Sequence, residues 1–226
     1  MTTPPCAANP ARASWLQSLH PVRRVAVALG PQSMVSFDND AKLVSELTAL
    51  IGSDPWIMDL LRAVRAMHLP KWCIAAGVIR NKVWDHLHGY SDRTLPADID
   101  VLYYDHDRID DTYEADIERR LAAIIPGVRW EAVNQAAVHS YTKDAPYKSI
   151  EQAMSRWADP VTAVGAHLTY EEQIVIMAPL GLRDLFGLVV RPNLLTPNAA
   201  TVYRERMTTK RWIERWPKLT ILWPDD

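Results

Sequence analysis

Ala75-Ala76-Gly77-Val78-Ile79-Arg80-Asn81, followed further along by Asp98-Ile99-Asp100-Val101, decides how this chain reads. The first stretch closes the apolar run Trp72-Cys73-Ile74-Ala75-Ala76, which has the length and composition of a buried strand. Gly77 ends it, and from Val78 to Leu87 the apolar residues Ile79, Val83 and Leu87 recur at helical spacing. A strand, a glycine and a helix in that order present free helix N–H groups to an anion. Arg80 in the first turn adds a charge-assisted donor. The second stretch reads as a strand from Asp98 to Tyr104. Side chains alternate along a strand, so Asp98 and Asp100 share one face while Ile99 and Val101 anchor the other. Two carboxylates that close repel each other, and a divalent cation offsets the repulsion directly. Mg²⁺ favours one or two carboxylates together with phosphate and water oxygens. The two stretches therefore describe a site for a metal ion and a phosphorylated nucleotide.

Outward from this centre, helices are expected over Asn39–Ile51, from Pro55 to about Met67 behind a Ser53-Asp54-Pro55 cap, and over Asp111–Ile125. A third strand is expected over Val128–Val133 and further strands over Ala163–Leu168 and Gln173–Ile176. Short helices are expected over Ser149–Trp157 and Leu182–Leu188, and one long helix over Asn198–Trp216. Strands and helices mix without strict alternation. This implies an α+β class with a small mixed sheet flanked by helices. Residues 1–33, with Pro4, Pro5, Pro10, Pro21 and Pro31, read as a poorly ordered leader. Residues 34–226 read as a single domain with helical extensions at both ends.

Composition narrows the function classes. Net charge is −2, so no whole-chain field advertises nucleic acid. No apolar run approaches the ~20 residues of a membrane span. The two cysteines, Cys6 and Cys73, form no metal-binding or disulfide pattern, which points to a reducing cytoplasm.

The residues quoted first resemble the signature of the DNA polymerase β-like nucleotidyltransferase superfamily, nearest to the head domain of CCA-adding enzymes and poly(A) polymerases. Other blocks are similar to a bacterial family of nucleotidyltransferase-like proteins: Ile74-Ala75-Ala76-Gly77 through Val83-Trp84-Asp85-His86-Leu87, Trp130-Glu131 with Asn134-Gln135, and Gly181-Leu182-Arg183-Asp184-Leu185-Phe186-Gly187-Leu188 with Arg191-Pro192. The resemblance covers roughly Ile51 to Trp216. It implies metal-dependent transfer of a nucleoside monophosphate from an NTP to a hydroxyl of RNA, protein or a small molecule. Asp98 and Asp100 would hold Mg²⁺ or Mn²⁺, and Gly77, Val78, Arg80 and Asn81 would face the triphosphate. The superfamily carries Gly or Ser where Val78 stands, so this chain would rely on the backbone N–H there. It also carries a third carboxylate on a later strand, for which Glu131 is the candidate; the other reading of Glu131 is a surface residue. Without a third carboxylate, the same fold would serve as a non-catalytic nucleotide- or partner-binding module.

Several other polar groups admit two readings each. Asp85 and His88 either ligate a metal or brace the loop that leads to Asp98. Asn134, Gln135 and His139 either read a base or ribose or satisfy buried backbone groups. The cations of Arg204 to Lys218 read first as a solvated helix face and second as an RNA contact. Trp157, Trp212, Trp216 and Trp223 read as packing residues.

Overall fold

The computed structural model of the chain describes residues 37–139 and 144–224, so the proline-bearing leader lies outside the described residues. The elements run α1 (Phe37–Gly52), α2 (Pro55–Arg65), β1 (Cys73–Ala75), α3 (Gly77–His88), β2 (Ile99–Tyr103), α4 (Asp111–Ile124), β3 (Trp130–Asn134), α5 (Ile150–Met154), β4 (Gly165–Leu168), β5 (Ile174–Met177), α6 (Arg183–Phe186), β6 (Val189–Val190), α7 (Ala199–Lys210), α8 (Trp212–Arg215) and β7 (Thr220–Ile221). The class is α+β, as the mixed pattern implies. No helix among the described residues is long and apolar enough to cross a membrane.

Five strands form one mixed sheet in the order β3-β2-β1-β4-β5. β2 and β3 run parallel, and the other neighbours are antiparallel. The register sets Ala75, Asp100 and Glu131 side by side across β1, β2 and β3, and Cys73, Leu102 and Val133 one pleat further on. Strand alternation then sorts the two faces. Ile74, Ile99, Val101, Tyr103, Trp130 and Ala132 point into the main core with α1 to α4. Cys73, Ala75 and Leu102 face the other way, under a smaller apolar cluster capped by Ile150 and Met154 of α5. That second face is covered only in part, and the row Ala75–Asp100–Glu131 stands where the cover ends.

Between β1 and α3 the sequence reading is refined. The unusual backbone sits at Ala76, whose φ of 57° and ψ of −116° cost a side-chain-bearing residue on the order of 1–3 kcal/mol. It is held there by Ala76 N–H donating to the Val164 carbonyl at 2.8 Å and by its own carbonyl accepting from Arg80 N–H at 2.9 Å. Gly77 serves a different need: a Cβ at that position would lie 2.8 Å from the Pro96 Cβ. Glycine thus allows the loop ahead of β2 to lie against the start of α3. β2 begins at Ile99, one residue later than alternation alone suggests, which leaves Asp98 on the end of that loop. The long helix expected over Asn198–Trp216 is two pieces. Arg211 takes a left-handed conformation, φ 48°, and turns α8 away from α7. Thr208 and Thr209 bond back to the Arg204 and Glu205 carbonyls, a pattern that weakens a helix end.

Asp54 ties the first helices to the loop. Its side chain caps α2 through Ile57 N–H at 3.2 Å and accepts Arg93 at 2.6 Å and Lys82 at 2.9 Å, while being only 3% exposed. Burial alone would raise its carboxyl, but the hydrogen bonds from Arg93, Lys82 and the Ile57 amide carry it below the ordinary value. Its stabilising contribution is therefore present above the usual carboxylate range and is lost as pH falls through the lowered value. Asp54→Ala removes a cap and leaves two cations unpaired, at about 3 kcal/mol. Asp54→Asn keeps the cap acceptor and costs about half as much. Urea denaturation at pH 7 measures both, and equal losses would show that the charge contributes nothing.

Candidate active site

Asp98, Asp100 and Glu131 converge. Each offers a carboxylate oxygen, and those atoms all lie within 4.8 Å of one another. Asp100 and Glu131 are register partners on parallel strands, and Asp98 comes from the loop just before β2. All three are partly buried. Burial first, then the charges of Asp98 and Glu131, push the Asp100 carboxyl up to about 7 despite the opposing pull of Arg80 and Arg206. Three oxygens in this spacing, carrying excess negative charge, form a donor set suited to a hard divalent cation.

The loop carrying Asp98 is pinned at several points. Thr94 N–H donates to Asp85 at 2.7 Å, and the Thr94 carbonyl accepts from Asn81 Nδ2 at 3.2 Å. Asp85 also accepts from the Trp216 indole N–H at 2.8 Å. His88 bonds the Trp84 carbonyl at 2.7 Å and accepts from Lys218 N–H at 3.0 Å. Both residues follow the bracing reading, and neither belongs to the carboxylate cluster. Asn81 lines the cavity, but both ends of its amide are engaged, the oxygen by Arg80 at 3.0 Å. Val78 does not line the cavity; its side chain is packed into the main core. Ala76, Gly77 and Arg80 do line it.

A cavity of about 240 Å³ extends from the three carboxylates. Four cations line the same cavity. Arg80, 7% exposed, donates to Thr162 Oγ1 at 3.1 Å. Arg206 of α7 donates to the same oxygen at 3.1 Å and pairs with the fully buried Asp159 at 2.7 Å. Burial and the nearby Arg206 pull the Arg80 guanidinium down to about 10, so it stays charged at neutral pH. Lys210 and Arg215 complete this cationic lining. Burial, then Arg206 and Arg80, lower the Lys210 ammonium, with Asp98 and Asp100 acting in the opposite direction.

Aromatic packing holds the cationic wall in place. Trp212 and Trp216 meet the buried Trp84 edge-on, with ring centroids 5.2 and 5.0 Å apart. Arg80 lies over the Trp212 ring at 4.5 Å and Arg206 over the same ring at 5.3 Å. Such contacts add attraction to cations that have lost water. The tryptophans pack as the sequence suggests, yet the cations between them are not a purely solvated face. The signal was the i,i+4 spacing of Trp212 and Trp216, which marks a packed helical stripe beside the basic residues. Asp159 and Thr162 carried no comparable signal. The Asn134 side chain makes four hydrogen bonds, all to backbone groups of residues 105, 108 and 136, so it braces a turn.

Because burial and the neighbouring Asp98 and Glu131 charges raise Asp100, removing its charge stabilises the metal-free protein. Asp100→Asn is expected to gain about 1–2 kcal/mol at pH 8, or several degrees in melting temperature. The sign follows from the raised carboxyl. The native protein binds the extra proton between about pH 4 and 7, so the wild type loses stability over that range and the gain is absent below it. Melting curves at pH 4 and pH 8 without metal test this, and equal melting temperatures for both proteins at pH 8 would refute it.

Comparison with known proteins agrees with this architecture. A family model described as Nucleotidyltransferase matches residues 62–221, which includes every residue of the cluster and of the cationic wall. An NMR structure that reveals a CCA-adding enzyme head domain superposes with a TM-score of 0.70 at 29% identity, covering 80% of this chain and 96% of that one. A CCA-adding enzyme in complex with CTP superposes with a TM-score of 0.51 at 17% identity, over 79% of this chain. At that identity the fold alone is shared, and the match spans only 43% of the CTP-bound enzyme. No curated protein matches. With a family model covering most of its length and the fold of a CCA-adding head, the chain belongs to the nucleotidyltransferase family and is a nucleotidyltransferase.

Proposed function

We propose that this enzyme moves a nucleoside monophosphate from an NTP to an acceptor hydroxyl with Mg²⁺ or Mn²⁺ held by Asp98, Asp100 and Glu131. One observation carries the reading: three carboxylates within 4.8 Å of one another share one cavity with Arg80, Arg206, Lys210 and Arg215. A triphosphate that bridges these two groups meets a cation-binding set at its α-phosphate and fixed positive charge along its β- and γ-phosphates. The CTP-bound CCA-adding enzyme supports a nucleoside triphosphate as donor.

Bound at the carboxylates, a divalent ion would neutralise the phosphate under attack and favour ionisation of the acceptor hydroxyl. The chain supplies the rest by position and charge. The N–H groups at the start of α3 and the guanidinium of Arg80 hold the triphosphate and stabilise the negative charge that gathers on the departing pyrophosphate. Arg206 and Lys210 do the same from α7. Val78 contributes its backbone N–H alone. Glu131 accepts the acceptor proton as the acceptor oxygen forms its bond to the α-phosphorus and the bond to the β-phosphate oxygen breaks. Asn81 acts indirectly, by fixing Thr94 and through it the loop that carries Asp98. The presence of Glu131 beside Asp100 favours catalysis over the nucleotide-binding module, which needs no third carboxylate.

The acceptor is an RNA end, a protein side chain or a small molecule, and the proposed setting is the cytoplasm. NTPs and Mg²⁺ are abundant there, and the buried Cys73 stays a free thiol. Incubation with α-labelled NTPs and Mg²⁺ or Mn²⁺, together with total RNA, cell protein or small-molecule fractions, should label one fraction. Asp98→Ala/Asp100→Ala should abolish the label, and Arg206→Ala should weaken NTP binding about tenfold, or about 1.4 kcal/mol. The absence of label in every fraction, together with no metal-dependent NTP binding, would remove this proposal. Label unaffected by the double substitution would show that other residues are responsible.

A further inference from the structure

The carboxylates and the cationic wall occupy two parts of the cavity, and a third part has a different character. One pleat beyond Asp100 and Glu131, on the same face, the register partners Leu102 and Val133 form an apolar floor. At about 3.3 Å per residue this floor lies about 7 Å from the carboxylate row. Val138 and Trp157 add an apolar and an aromatic wall, and Gln135 lies at the end of the floor, just past β3.

Gln135 is the anomaly. It is 2% exposed. Its Nε2 donates to the Val133 carbonyl at 3.3 Å, which fixes the direction of the amide. Its Oε1 is buried with no hydrogen-bond partner among the described residues. A buried carboxamide oxygen without a donor is costly and uncommon in a folded protein. The apolar side chains of Leu102, Val133 and Val138 bring no N–H or O–H group to it. What fits the recess is therefore flat, largely apolar across its faces and able to donate from its edge. It also lies within reach of a phosphate bound at the carboxylates. Those are the properties of a nucleobase, whose face stacks on an aromatic ring and whose amine or ring N–H donates.

We propose that the Leu102–Val133–Val138–Trp157 recess receives a nucleobase and that Gln135 Oε1 reads its edge by accepting a hydrogen bond. This rests on the nucleotidyl-transfer reading of the neighbouring site and adds to it a base-selecting residue. The base belongs either to the donor NTP or to a nucleotide acceptor, and the chemistry of recognition is the same.

The test is calorimetric titration of the full chain in Mg²⁺ with tripolyphosphate, with each of the four NTPs, and with each of the four ribonucleosides in the presence of saturating tripolyphosphate. Wild type is compared with Gln135→Leu, which has similar bulk and no polar atom, and with Val138→Trp, which fills the recess from its wall. For a donor base, at least one NTP binds tenfold or more tighter than tripolyphosphate. Both variants shrink that gap at least fivefold without changing the affinity for tripolyphosphate. For an acceptor base, NTP affinities are insensitive to both variants, while a nucleoside binds wild type beside tripolyphosphate and fails to bind either variant. Either result supports the inference and names the source of the base. If tripolyphosphate binds but neither variant alters the binding of any NTP or nucleoside, the base-reading inference is overturned and the transfer reading stands. If tripolyphosphate does not bind in Mg²⁺, both fall together.

Discussion

Three carboxylates held within 4.8 Å of one another are the constraint around which this structure is arranged. Their burial and mutual repulsion are a standing cost, visible in the Asp100 carboxyl being raised to about 7. The cost is sustained because the backbone beneath them has no freedom to yield. Ile99 and Val101 are buried in the main core on the opposite face, and β2 is hydrogen-bonded on both sides, to β1 and to β3. Asp98 lies off the strand and needs its own fixing. It gets it from a loop tied through Arg93 to Asp54, through the Thr94 amide to Asp85, and through the Thr94 carbonyl to Asn81. Gly77 completes that arrangement by leaving space for Pro96.

The same negative charge acts on the cations of α3 and α7 that line the cavity with it. Asp159, then Asp100 and Asp98, stabilise the charged form of Arg80, and Asp98 and Asp100 that of Lys210, which burial and like-charge neighbours would otherwise disfavour. Trp212 and Trp216 dock on Trp84, beside Arg206 and Lys210 in the cavity lining. Asp85 links the two halves, since one carboxylate oxygen holds the Asp98 loop and the other holds the Trp216 indole. Opposite charges fixed in a partly desolvated cavity are the electrostatic preorganisation that phosphoryl chemistry requires.

Much of this was legible in the sequence, for identifiable reasons. Strand alternation and helical periodicity are local, so β2 and α3 could be read within a residue or two; Asp98, expected on the same strand face as Asp100, reaches the cluster instead from the loop just before β2. The position of Glu131 depended on register between β2 and β3, which no local pattern specifies. The left-handed turn at Arg211 was hidden because Arg is an ordinary helix former; tertiary docking of the following tryptophans decides that break. The strained residue at the β1–α3 turn proved to be Ala76, which no local pattern marks, while the glycine beside it leaves room for Pro96. Val78 and Asn81, read from the resemblance as triphosphate contacts, have side chains committed to the core and to the Asp98 loop. The short parallel pair β6 and β7 is too brief to leave a periodic signal.

The carboxylate cluster and the neighbouring cations together form the proposed metal–triphosphate site. Crystals grown with Mn²⁺ and a non-hydrolysable NTP analogue, measured at the manganese absorption edge, address it directly. Anomalous density is expected among Asp98, Asp100 and Glu131, with the triphosphate running from there toward Arg80 and Arg206. Manganese bound elsewhere, or a triphosphate that avoids the Arg80–Arg206 wall while the carboxylates remain empty, would contradict it.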